Sequence, residues 1–270
     1  MEWKKLYPGG KKKAVTFSYD DGVEQDIRLA ELFRKYGAKA TFNLNSGLDE
    51  SGSWNFKGVE VRRIPFAKMP EVYQGHEIAC HASTHPRLEE LPLRELHWEL
   101  WDDRKTLEKR FNCKVQGMAL PYGTWNPQVR EVIERLGFTF CRTVESTYNF
   151  ARPKDFLLWG ATCHHTDPKL MELAEKFRQT QDELALFYIW GHAYEFDGDH
   201  NWQMMEELLE TLARDQEIWY ATNGEVTAYF HAMDQLCVGE NFICNPSAQD
   251  LWIEKEGEAL CIPAGEWIDL

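Results

Sequence analysis

The sequence predicts an α/β chain in which a parallel sheet, wrapped by helices, closes into a complete or incomplete (β/α) barrel with a small β-rich tail behind it. Three observations predict it. Short apolar, β-branched runs alternate with longer stretches whose apolar residues recur every three to four positions. The runs end in polar clusters punctuated by Gly or Pro. Beyond Asp234 the helical spacing stops and short strand-like segments follow.

Taken in order, residues 14–17 form a first buried strand, which Gly22 and the polar Glu24-Gln25-Asp26 end before a helix opens. Leu29, Leu32, Phe33 and Tyr36 give that helix one apolar face, and Gly37 stands at its expected stop. Residues 40–44 predict a second strand, and residues 45–70 show no sustained period; this long connection either walls one side of a site or decorates the surface. A third strand over 77–81 is followed by an amphipathic helix over 92–111, with Leu93, Leu96, Leu100 and Leu107 on or near one face. The fourth strand, 115–120, ends at Pro121-Tyr122-Gly123; Asn126 then caps a helix with Pro127 in its first turn and Gly137 at its stop. Further strands are predicted over 138–142, 156–160, 184–190 and 218–220, with helices over 168–180 and 202–214. Thr222 and Glu225 predict a capping box for a last helix. Segments 250–254, 258–262 and 267–270 predict the β tail, so the expected division is a domain over 1–234 and an appendage over 235–270.

Composition narrows the function classes. The chain has 270 residues, 43% of them hydrophobic, enough for a sizeable core. A formal charge of −14 argues against a nucleic-acid surface or an anionic membrane, both of which need clustered cations, and favours a neutral or cationic substrate. Eleven Trp suit stacking on sugar rings as well as core filling. Residues 1–5 include Lys4 and Lys5 with no apolar run behind them, and no apolar stretch approaches the length of a membrane span. The seven cysteines show no Cys-x-x-Cys pair and read as reduced thiols. The expectation is a cytoplasmic protein with no nucleic-acid or membrane partner.

The chemistry starts at Ser18-Tyr19-Asp20-Asp21-Gly22. Two adjacent carboxylates at a strand end repel, so both stay ionised only if a cation or a donor-rich pocket compensates one of them. That predicts a metal held by one Asp while the other handles protons; the plainer alternative is an Asp-Asp-Gly turn that caps a helix. His81-Ala82-Ser83-Thr84-His85 adds two imidazoles four residues apart after the third strand. Two His and one Asp with open positions is the donor pattern of a catalytic metal site.

These motifs, with Gly75-His76-Glu77 leading into the His pair and Leu120-Pro121-Tyr122-Gly123 following, resemble the polysaccharide deacetylase family, the NodB-homology domain of carbohydrate esterase family 4. The resemblance runs from about Lys12 to about Tyr220. It implies a deformed (β/α) barrel of about seven parallel strands that hydrolyses acetyl groups from N- or O-acetylated saccharides with a divalent metal, zinc first, with cobalt or another transition metal as alternatives. Position by position, it implies Asp20 as general base, Asp21, His81 and His85 as metal ligands, and the Tyr122 backbone N–H as oxyanion donor. His192, at the end of the run 186–192, is implied as general acid. An acetylated oligosaccharide or polysaccharide is the implied partner. Asn45, Trp54, Trp190 and Tyr194 are possible sugar contacts by position.

The chain also departs from the family. Ala119 stands where the family has an Arg that orients the base, Ala82 replaces a Ser or Thr, and no Asp-Trp pair occurs between Trp159 and His165. These departures keep open a saccharide-binding protein that has lost turnover, and a metal hydrolase acting on a non-sugar amide is a third reading. Cys163-His164-His165 is expected in a loop or surface role, because neighbours on a strand face opposite ways. His192, Glu195 and His200 lack the spacing of a zinc-protease helix.

Overall fold

The computed structural model describes residues 3–48 and 52–269. Strand β1 (Trp3–Leu6) precedes the barrel, which opens with β2 (Lys13–Asp20), helix α1 (Asp26–Lys35) and β3 (Thr41–Leu44). A hairpin of β4 (Ser53–Phe56) and β5 (Val59–Arg62) and the single turn α2 (Met69–Val72) lead to β6 (Glu77–Cys80), α3 (Leu93–Phe111), β7 (Gly117–Ala119), α4 (Pro127–Arg135) and β8 (Phe140–Ser146). The ring is completed by β9 (Trp159–Ala161), β10 (Cys163–His164), α5 (Leu170–Gln179) and β11 (Ala185–Gly191). Then come α6 (Tyr194–Gly198), α7 (Trp202–Ala213), β12 (Ile218–Tyr220) and α8 (Asn223–Met233).

Neighbouring strands run β10-β11-β2-β3-β6-β7-β8-β9, all parallel. Only Thr162 separates β9 from β10. One nearly continuous segment therefore pairs with β8 on one side and β11 on the other, and the ring closes. The deformation lies at β2. Its first residues pair with β12 (Ile218 beside Lys13), while its last pair with β3 (Ser18 beside Thr41). Asn223 spans the parting, accepting from the Thr16 hydroxyl and donating its N–H to the Thr41 hydroxyl. Every residue of β2 and β11 is buried, as strands covered on both faces must be.

Most elements form where their periodicity predicts them, with their stops. The Asn126 cap accepts from the Val129 N–H, and the Thr222–Glu225 capping box is complete. Two expectations change. The stretch 45–70 holds the β4–β5 hairpin, whose strands of four residues are too short to show a period; Lys57 and Gly58, both at positive φ, make its turn. Its residues 49–51 lie outside the described residues. In the segment 156–160, Phe156–Leu158 is a tight helical turn, and the strand begins only at Trp159.

The tail forms two small sheets from β13 (Cys237–Val238), β14 (Phe242–Cys244), β15 (Leu251–Lys255), β16 (Glu258–Ile262) and β17 (Trp267–Asp269). One of them takes its third strand from the chain's start, β1 pairing antiparallel with β15. Among the described residues no helix is long and apolar enough to cross a membrane.

Close packing between β7 and β8 leaves no room at Gly117, where a Cβ would stand 2.2 Å from the Phe140 ring. Gly117→Ala is expected to destabilise the fold by about 1–3 kcal/mol, seen as a lower urea midpoint; an unchanged midpoint would contradict this packing.

Candidate active site

The predicted chemistry-bearing residues come together at one end of the barrel, where the parallel strands finish. Asp20 is the last residue of β2, His81 follows β6, Tyr122 follows β7 and His192 follows β11. This is the end at which (β/α) barrels gather their functional loops. The strand ends curl sharply: Asp21 (φ 78°), Ala82 (φ 57°), His85 (φ 57°) and Tyr122 (φ 59°) all occupy the left-handed region without being glycine. Each such residue costs on the order of 1–3 kcal/mol and persists only where its surroundings over-determine it.

Asp20 is the centre of the arrangement. Its Oδ1 accepts from Asn43 Nδ2 (2.7 Å), and its Oδ2 pairs with the guanidinium of Arg142, with both side chains almost fully buried. The same Oδ2 lies 3.8 Å from His81 Nε2 and 3.8 Å from His192 Nε2. Burial alone would raise the Asp20 carboxyl; the Arg142 charge, followed by His81, His192 and the Asn43 amide, outweighs it and holds the group below its ordinary value. Asp20 is thus an ionised carboxylate in a dry site.

Arg142 was not anticipated from the sequence. It sits on β8 directly beside Ala119 of β7 in the parallel register, so the missing guanidinium is supplied from the adjacent strand at the same level. The small Ala119 side chain, fully buried, suits a position next to that guanidinium. The Trp190 ring lies beneath, with the Arg142 guanidinium carbon 4.1 Å from its centroid. A lone Arg inside a predicted strand was the available signal.

Asp21, His81 and His85 each offer one donor atom within 4.8 Å of the others. His81 Nδ1 lies 2.9 Å from the Ala119 carbonyl oxygen, which can only accept, so Nδ1 carries a proton and Nε2 is the nitrogen left for a ligand. Burial, then the neighbouring His81, lowers the His85 imidazole to about 4, leaving it neutral. One carboxyl group and two imidazoles, one with its far nitrogen already fixed, fit a divalent ion. The loop is held from behind: Asp103 of α3 accepts the backbone N–H of His81 (3.1 Å) and of Ser46 (2.8 Å).

His192 is governed by Glu195, one turn on. Glu195 Oε2 accepts the His192 backbone N–H (3.0 Å), lies 3.3 Å from His192 Nδ1 and 3.2 Å from His164 Nε2. Burial would lower His192, but the hydrogen bond to Glu195 and the charges of Asp20 and Asp21 push it up to about 9. In turn, burial would raise Glu195, and its hydrogen bonds to His164 and His192 hold it far below the ordinary carboxylate range. Glu195 therefore gives His192 a carboxylate partner. The sequence showed Glu195 only as part of a mismatched zinc-protease pattern.

Other expectations are corrected. Asn45 is buried and not a sugar contact: its amide donates to the backbone oxygens of His81 (2.6 Å) and Ala82 (2.8 Å), pinning the His loop. Trp190 is likewise a buried support, packed on Arg142 and His164. Trp54, from the hairpin, and Tyr194 remain partly open and meet edge to face at 5.6 Å; Tyr194 lies 5.1 Å from the His192 ring. Tyr122 is half exposed over His85. His165 is fully buried and not a surface residue: β10 ends at His164, so the alternation of faces no longer applies one residue later.

Residues 8–141 match the sequence profile of polysaccharide deacetylases. The chain belongs to the polysaccharide deacetylase family. Among its relatives, the chitooligosaccharide deacetylase of Azorhizobium caulinodans is 25% identical over 130 residues, which cover 47% of this chain and 56% of that protein. The chain thus spans about half the length of this curated relative. In fold, the Xyl-CE4 domain of a multidomain xylanase from the hindgut metagenome of Trinervitermes trinervoides aligns with a TM-score of 0.55 at 15% identity, covering 82% of this chain and 92% of that one. A mutant of BA3943, titled a CE4 family pseudoenzyme, aligns with a TM-score of 0.51 at 19% identity, covering 83% of this chain and 70% of that one. At these identities the likeness concerns the fold. Enzymes and pseudoenzymes share it, so turnover in this deacetylase family member has to be argued from the site.

Because Ala119 and Arg142 are cross-strand partners, the guanidinium should be movable. Arg142→Ala is expected to cost about 3–5 kcal/mol by leaving Asp20 buried and unpaired. Adding Ala119→Arg to that variant should recover part of the loss in urea denaturation. No recovery would mean that the pairing depends on Arg142's own packing.

Proposed function

We propose that this chain is a metal-dependent hydrolase that removes acetyl groups from N- or O-acetylated saccharides. The observation that carries this reading is a buried, ionised Asp20 beside a two-His, one-Asp donor set, with a carboxylate-partnered imidazole on its other side. A divalent ion held by Asp21, His81 and His85 would supply Lewis-acid polarisation of the acetyl carbonyl and activation of water. Asp20 takes the proton of the attacking water; Arg142 and Asn43 hold the carboxylate in place and ionised before it does so. His192 donates a proton to the leaving amine or alkoxide, and Glu195 keeps that imidazole charged and oriented. The Tyr122 N–H, on the strained turn after β7, is the proposed donor to the oxyanion. Trp54 and Tyr194 line the approach as aromatic surfaces for a sugar ring. The relative's printed name points to acetylated chitooligosaccharides as the first substrates to try.

The departures that favour a binding protein without turnover are Ala119 and the absent Asp-Trp pair. Arg142 brings a guanidinium to Asp20 and Glu195 a carboxylate to His192, which supports the reading with turnover.

Metal-loaded protein is expected to release acetate from acetylated chito- or xylo-oligosaccharides, to lose this on chelation, and to lose about 10²–10⁴-fold in kcat/KM in Asp20→Asn. Absence of acetate release from all of them would overturn the proposal. Since His192 must be protonated to act as acid, activity should fall as pH rises through its pKa. Glu195→Gln removes the anion that raises this pKa, so the alkaline limb should move to lower pH. A limb that stays put would remove Glu195 from this role.

A further inference from the structure

On the far side of the His192 ring lies a second group of donors. One ring nitrogen each from His164 and His192 and one carboxylate oxygen of Glu195 lie within 4.8 Å of one another, all three side chains being open enough for an ion to reach. A further imidazole borders the group. His165 has a fully buried side chain, and its Nε2 sits 3.3 Å from the same Glu195 Oε2 without a hydrogen-bond partner among the described residues. Its Nδ1 faces the Tyr19 hydroxyl at 3.2 Å. The ring fits only because residue 191 is glycine, where a Cβ would stand 2.1 Å from His165 Nδ1. His164 Nδ1 accepts the Thr166 backbone N–H (3.2 Å), so its ring proton sits on Nε2 toward Glu195; an ion at Nε2 would shift that proton to Nδ1, 2.7 Å from the Thr166 hydroxyl.

Two imidazole nitrogens and one carboxylate oxygen make a donor set suited to a late first-row divalent cation, with the unpartnered Nε2 of His165 beside it. We propose that His164, His192 and Glu195 bind a second transition-metal ion, distinct from the one assigned to Asp21, His81 and His85, and that this ion is inhibitory. The site rests on geometry alone; the inhibition rests on the reading of His192 as proton donor. His192 Nε2 faces Asp20 while its Nδ1 faces the cluster, so ligation at Nδ1 expels that proton to solvent and leaves a neutral, metal-bound ring. Such a ring keeps its Nε2 proton too tightly to serve a leaving group. The first equivalent of metal would then activate and the second suppress.

The test is stoichiometry on the chelator-stripped full chain, by equilibrium dialysis against zinc with bound metal measured by atomic emission. Wild type is expected to bind two equivalents; His164→Ala and His85→Ala, checked for folding by circular dichroism, are each expected to bind one. A single equivalent in wild type at saturating zinc, or two equivalents retained in His164→Ala, would overturn the second site. His164→Ala should lose the inhibition by excess zinc, read as the ratio of activity at two equivalents to that variant's own activity at one. Inhibition unchanged in that variant would overturn the inhibitory role. A protein that binds two equivalents but releases no acetate would sink the hydrolase reading and leave the second site standing.

Discussion

The buried pair between Asp20 and Arg142 is the interaction on which the site's geometry depends. Removing both charges from water costs several kcal/mol per ion, and their attraction offsets this only with good geometry and further hydrogen bonds. Here the additional contacts are present: Asn43 donates to the other carboxylate oxygen, and the Trp190 ring centroid lies 4.1 Å from the guanidinium carbon. The pair ties β2 to β8 from opposite sides of the barrel interior, and Trp190 brings in β11. A carboxylate that must stay ionised in a dry place thereby fixes the relative positions of three strands.

Around that pair the backbone is bent to purpose. Four non-glycine residues with positive φ, Asp21, Ala82, His85 and Tyr122, lie in the loops that follow strand ends at the same rim. Buried polar side chains hold this strain in place. Asn45 grips the carbonyls of His81 and Ala82, and Asp103 grips the amides of His81 and Ser46. Burial pushes the Asp103 carboxyl up to about 7 in spite of those bonds, which marks how dry the region behind the His loop is. Asn45 and Trp190, which look like contacts for a sugar in the linear sequence, are thus fastenings of the site.

Glu195 has a comparable organising role on the other flank, drawing His164, His165 and His192 toward one oxygen. The two donor clusters share a boundary at His192, whose two nitrogens face different neighbours: Asp20 on one side, Glu195 on the other. What occupies one side of that ring necessarily changes what the other side can do.

The order of elements, most of their caps and stops, and the residues of the first donor set were legible in the sequence. Each is written in local periodicity or in a short motif, such as Asn126 before Pro127 or the His pair four apart. The β4–β5 hairpin was not, because strands of four residues are too brief to show alternation. Nor were Arg142 and Glu195. Ala119 declared that a guanidinium was missing, but its replacement lies on a neighbouring strand 23 positions away in sequence and adjacent only in register. Likewise the buried His165 borders the cluster because β10 stops one residue before it. Sequence alone determined which chemistry-bearing residues stand at the strand ends, since motifs are local. Only the tertiary structure decided which side chains complete it, because a charge is compensated by whatever lies near it in space, whichever strand it comes from.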